Sequence, residues 1–108
     1  MIKEIEMRIQ VSEERLEAFC RKWAVARLEI FGSVLRQDFD PKRSDVDVMV
    51  TLAPERRYTL LDFIEMEDEL SAMFGRKAEL TERSTVENSA NYIRRRHILG
   101  EAQVLYER

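Results

Sequence analysis

Gly32-Ser33-Val34-Leu35-Arg36-Gln37-Asp38, followed after a polar stretch by Ser44-Asp45-Val46-Asp47-Val48-Met49-Val50, decides both the fold and the chemistry expected of this chain. The second segment alternates: Val46, Val48 and Val50 fall on one side, Asp45, Asp47 and Met49 on the other. That is the period of a strand with one apolar face. Asp45 and Asp47 then project from the same face with Cα atoms about 6.6 Å apart. Carboxylates held that close repel, and a bridging divalent cation removes the conflict. Magnesium prefers oxygen ligands and completes its shell with substrate phosphates, so the pair predicts Mg²⁺ and a phosphorylated substrate. Gly32 lacks a Cβ and lets backbone amides approach an anion, while Ser33 adds a hydroxyl donor. Arg36 and Ser44 flank this cradle; Arg36 is placed to neutralise phosphate charge and Asp38 to fix Arg36 or the loop by a charge-assisted hydrogen bond. A phosphate cradle ending one strand beside paired carboxylates on the next makes a phosphoryl- or nucleotidyl-transfer site, where positioning and charge stabilisation dominate.

Outward from that segment, Ser12 before Glu13 and Glu14 predicts a helix start, with Leu16, Phe19, Cys20 and Trp23 as its apolar stripe. Leu28 and Ile30 around Glu29 predict a strand running into the Phe31-Gly32-Ser33 turn. Val34 to Arg36 suits a single helical turn, and Gln37 to Arg43, with Pro41, a loop. Thr59 is placed to cap a helix with apolar positions Leu60, Phe63, Ile64, Met66, Leu70 and Phe74, stopped by Gly75. These stripes are expected to be core. Lys77 to Thr81 predicts a third strand, with Ala78 and Leu80 on one side. From Thr85 to Tyr106 the spacing is broadly helical, broken near Gly100. The expected architecture is α/β (α+β): a small mixed sheet of about three to four strands flanked by helices.

With 108 residues, the chain is expected to form one domain, 1–108. A hydrophobic content of 44% and a charged content of 36% fit a modest core under a densely charged surface. The net charge of −3 argues against a sequence-independent grip on nucleic acid, which needs clustered cations. One cysteine, Cys20, excludes an intrachain disulfide and a Cys-x-x-Cys zinc site. The charged residues within Met1 to Gln10 suit neither a signal peptide nor a membrane span, so a cytoplasmic location is expected.

Gly32-Ser33-x-x-Arg36-x-Asp38 with Ser44-Asp45-x-Asp47 resembles the signature of the polymerase-beta-type nucleotidyltransferase superfamily, and the chain's brevity resembles the minimal nucleotidyltransferases (MNT), antitoxins encoded beside HEPN-domain toxins. The resemblance implies transfer of AMP from ATP to a tyrosine of the HEPN ribonuclease partner, together with binding in a hetero-oligomer. It implies that Gly32 and Ser33 contact the triphosphate, that Asp45 and Asp47 hold magnesium, and that a third carboxylate on a later strand completes the site. The family commonly has Asp there; the matching stretch, Arg76-Lys77-Ala78-Glu79-Leu80, offers Glu79 as metal ligand and general base.

Plainer readings stand beside these. Glu79 also reads as a solvated acid paired with Lys77 or Arg76. Arg94-Arg95-Arg96-His97 reads as the solvated surface of a helix. The Glu79 replacement also fits a catalytically weak or silent antitoxin that neutralises its toxin by complex formation. A small-molecule nucleotidyltransferase shares the motif but normally brings a further helical domain.

Overall fold

Ser12 opens the first helix as its residue type predicts: its hydroxyl accepts from the Arg15 amide at 3.4 Å, and Glu13 and Glu14 sit at the positive end of the helix dipole. The computed structural model describes residues 12–32 and 45–107. Helix α1, Glu13–Trp23, ends on a left-handed Ala24 and leads into β1, Val25–Phe31. Strand β2 spans Val46–Leu52 and helix α2 spans Leu60–Phe74. A reciprocal box between Thr59 and Asp62 starts α2, and Gly75, at φ 72°, stops it. Then follow β3, Ala78–Glu82, the short α3, Arg83–Glu87, α4, Tyr92–Glu101, and β4, Gln103–Glu107.

The four strands lie in the order β3-β2-β1-β4. Strand β1 runs antiparallel to both β2 and β4, while β2 and β3 are parallel, so the sheet is mixed as expected. Parallel pairing requires a crossover, and α2 supplies it. Helix α2 also covers the outer edge of β3: Ala78 N donates to Ser71 Oγ at 2.9 Å and Leu80 N to Glu67 Oε2 at 2.8 Å. Strand amides that would otherwise lack partners are thereby satisfied.

One sheet face carries the main core. Leu28, Ile30, Val46, Val48 and Val50 pack there against Leu16, Phe19, Cys20 and Trp23 of α1 and Met66, Leu70 and Phe74 of α2. Glu69 of α2 fastens the two helices together by accepting from Lys22 Nζ at 2.9 Å and Trp23 Nε1 at 3.3 Å. The opposite face has a smaller cluster of Phe31, Met49, Val86 and Ile98 under α3 and α4.

Three expectations are corrected. Gln103–Glu107 is a strand, not the end of a helix; the free edge of β1 offers a ladder that outweighs local spacing, which is tertiary context overriding propensity. Gly100 lies within the last turn of α4 and breaks nothing. Leu60 and Ile64 of α2 are 77% and 47% exposed and belong to no core, as is Leu61 at 71%. The helical turn at Val34 to Arg36 and the loop from Gln37 to Arg43 lie outside the described residues.

Candidate active site

The register of the sheet aligns the acidic groups. Phe31 of β1 is opposite Asp47 of β2, and Asp47 is opposite Glu79 of β3. Valine alternation puts Val46 and Val48 into the main core and therefore turns Asp47 toward the other face. Asp45 immediately precedes β2 and is half-buried, as is Asp47, whereas Glu79 is exposed. Gly32, buried at the end of β1, has φ 77°, a left-handed conformation that favours glycine. A Cβ built there would run into the Asp47 carboxylate at Oδ2. The expected phosphate cradle and the expected metal carboxylate therefore touch across two neighbouring strands.

Charge has accumulated around Asp47. Burial pushes its carboxyl pKa upward, and the negative charges of Glu79 and Asp45 push it further. A hydrogen bond with Glu79 acts in the same direction, while the Arg94 guanidinium opposes these effects. Among the described residues no group of three His, Cys, Asp or Glu is arranged to cage a metal alone. Magnesium does not need such a cage, since one or two carboxylates and substrate phosphates suffice. The donor set fits: hard oxygen ligands converge where their mutual repulsion outweighs the opposing charge of Arg94.

Arg94 is the group that the sequence reading missed. It lies on α4, in the run assigned to a solvated surface, yet its charge reaches Asp47. Together with Phe31, Thr81, Val86, Arg95 and Ile98 it lines a cavity of about 130 Å³ on the carboxylate-bearing face. Arg95 is anchored by donating to the carbonyls of Glu87 and Ser89, at 3.5 and 3.2 Å. No local pattern announces this, because helix α4 is brought over the sheet by tertiary contacts, among them the packing of Ile98. A larger cavity, about 340 Å³, lies between the far end of β2 and α3, lined by Thr51, Pro54, Tyr58 and Arg83 among others. It contains none of the expected site residues.

Glu29 is a second surprise. It sits in β1 opposite Met49 and is 2% exposed. Arg83 Nη1 donates to its Oε1 at 2.7 Å, and Arg27 Nε lies 3.6 Å from the same oxygen. The bond to Glu29 raises the Arg83 pKa, although partial burial opposes it. An acid between Leu28 and Ile30 in a central strand was the available signal. The pair joins β1 to the junction where β3 ends and α3 begins.

Of the expected site residues, the structure brings Gly32, Asp45, Asp47 and Glu79 together: Gly32 lies against Asp47, Glu79 is opposite it in the sheet, and the charges of Glu79 and Asp45 both reach it. Ser33, Arg36 and Ser44 lie outside the described residues, as does Asp38.

Against known proteins, a family model described as nucleotidyltransferase domain matches residues 12–103. No curated protein matches the chain. Among solved structures, a toxin–antitoxin structure with AMP-PNP is similar at 17% identity, covering 91% of this chain and 75% of that one, with a TM-score of 0.65. A structure described as a minimal nucleotidyltransferase is 26% identical over 84% of this chain and 86% of that one, TM-score 0.57. A third is a tri-AMPylated Shewanella oneidensis HEPN toxin in complex with MNT antitoxin, at 15% identity, 89% and 70% coverage and TM-score 0.57. These likenesses show the fold.

Proposed function

Because the chain belongs to the nucleotidyltransferase-domain family, we propose that it transfers AMP from Mg-ATP to a tyrosine of a HEPN-domain ribonuclease toxin and binds that toxin as its antitoxin. The observation that carries this reading is Asp47 set between Gly32 and Glu79, with its carboxyl pushed upward by burial first and by the neighbouring acids Glu79 and Asp45 next. Magnesium, when bound, would offset that repulsion and the charge of the triphosphate. Asp45 and Asp47 are the residues that would hold it, with Glu79 beside them. Gly32, Ser33, Arg36 and Ser44 would contact the nucleotide, and Arg94 adds a cation whose charge reaches Asp47.

In the reaction the phenolic oxygen attacks the α-phosphorus. The bond from that phosphorus to the β-phosphate's bridging oxygen breaks, and pyrophosphate leaves. Glu79 accepts the phenolic proton, and its exposed position suits an acceptor arriving from outside. Tyr92 and Ile93, 57% and 80% exposed at the start of α4, give a partner apolar surface next to Arg94. Similar toxin–antitoxin structures, one with AMP-PNP and one with a tri-AMPylated HEPN toxin, support the choice of nucleotide and acceptor.

The test is incubation with Mg²⁺, ATP and the HEPN protein encoded beside it, followed by intact-mass analysis of both chains. One or more AMP units on the partner are expected. A stable complex whose partner keeps its unmodified mass would instead support the silent antitoxin, the reading favoured by Glu where the family commonly has Asp.

A further inference from the structure

Gly32 is held from two directions. On the β2 side it lies against Asp47, and on the β4 side its backbone amide donates to Glu101 Oε1 at 3.0 Å. The β1–β4 register explains the second contact. Ile30 is opposite Gln103, so an antiparallel ladder continued by two residues would place Gly32 opposite Glu101. Glu101, however, is the last residue of α4. Its backbone has left the strand, and its side chain supplies the acceptor that a strand carbonyl would have supplied. The carboxylate is only 22% exposed, and its other oxygen lies 3.2 Å from His97 Nε2, one helical turn back. The far end of α4 and the end of β1 are thus joined across 69 positions of sequence.

We infer that Glu101 is a positioning residue for the nucleotide: its carboxylate holds the Gly32 amide in line with β1, so that the phosphate-binding turn starts in contact with the metal-binding carboxylate of Asp47. A glycine at φ 77° has no side chain to fix its own direction, and a strand end without a ladder partner samples many directions. Glu101 removes that freedom without touching ATP. The inference rests on the proposed nucleotide site.

A competing role has the opposite sign. A carboxylate near a triphosphate repels it, so a Glu101 that merely occupied the amide would weaken nucleotide binding, and its removal would tighten it. Mg-ATP titration calorimetry on the intact chain distinguishes the two, with wild type, Glu101→Ala and Glu101→Gln, thermal melts confirming that each is folded. Positioning predicts that Glu101→Ala weakens Mg-ATP binding about tenfold, while Glu101→Gln, which keeps an acceptor oxygen but no charge, stays within about twofold of wild type. In the transfer reaction Glu101→Ala is expected to raise KM for ATP and leave kcat little changed. Unchanged or tighter binding by Glu101→Ala overturns the inference, and so does loss in Glu101→Gln equal to that in Glu101→Ala. If wild type itself binds no Mg-ATP, the nucleotide-site reading fails and the inference with it; if wild type binds and Glu101→Ala binds equally, only the inference fails.

Discussion

Val48 and Asp47 are neighbours in β2, yet they face regions built on different principles. Val48 enters a continuous apolar layer between the sheet and helices α1 and α2, where Leu28, Ile30, Met66 and Leu70 are fully buried and, among the described residues, no charged side chain joins the cluster. Asp47 enters a face where a small cluster of Phe31, Met49, Val86 and Ile98 is bordered by Glu29, Arg83, Glu79 and Arg94. One face supplies stability. The other gives some of it up, because Asp47 is itself half-buried beside Asp45 and Glu79 and Gly32 adopts a left-handed conformation against it. A single period-two pattern produces both, since alternate residues must go to opposite sides.

The contrast makes predictions of opposite kind for the two faces. On the acidic face, Asp45→Ala with Asp47→Ala is expected to lower AMP transfer about 10³-fold or more while the fold persists, measured by labelled-ATP transfer beside circular dichroism. On the apolar face, Leu70→Ala is expected to cost about 3 kcal/mol in urea denaturation, with the folded fraction keeping its activity. Activity loss from Leu70→Ala beyond its unfolded fraction would break the division.

Arg83→Ala tests the shorter of the two ion pairs that the described residues make to the buried Glu29. Leaving Glu29 without its 2.7 Å partner should cost about 3 kcal/mol, and replacing both residues by leucine should recover most of it. Gly32→Ala is expected to lose about 1–2 kcal/mol from backbone strain alone, and the added methyl must also displace Asp47. Its Mg-ATP affinity should fall with its stability, which calorimetry and melting can follow together.

The smallest effect concerns Asp47 itself. Its folded-state pKa lies above the ordinary value of 3.8, so the folded chain holds the proton more tightly than the unfolded one. The associated stability is present below the ordinary value and is lost as pH rises through the raised one. Asp47→Asn should therefore raise the metal-free Tm by about 2–4 °C at neutral pH, and the gain should shrink as pH falls toward 3.8. A gain independent of pH would assign it to something other than ionisation.

The apolar face was the more legible in sequence. Ser12 and Thr59 marked helix starts by side-chain chemistry, Gly75 marked a helix end by its backbone freedom, and the valines of β2 announced their strand. Strand β4 was not legible, because Gln103–Glu107 takes its form from the open edge of β1, a partner more than seventy residues away in the chain. Leu60 and Ile64 misled in the other direction: helical spacing marks an apolar stripe but not what covers it, and both side chains are exposed. At the site, Asp47 and Gly32 were readable because strand and turn geometry are local. Arg94, Glu29 and Glu101 were not, since each acquires its role from an element distant in sequence.

The central claim is that the acidic face is kept unstable for the sake of a metal-bound nucleotide. Thermal melting with and without Mg-ATP, on wild type and on the chain carrying Asp45→Asn and Asp47→Asn, tests it most directly. The account predicts a lower Tm for free wild type that rises with Mg-ATP, and a higher Tm for the variant that Mg-ATP leaves unchanged. A wild-type Tm indifferent to Mg-ATP, or a variant less stable than wild type without it, would contradict the account.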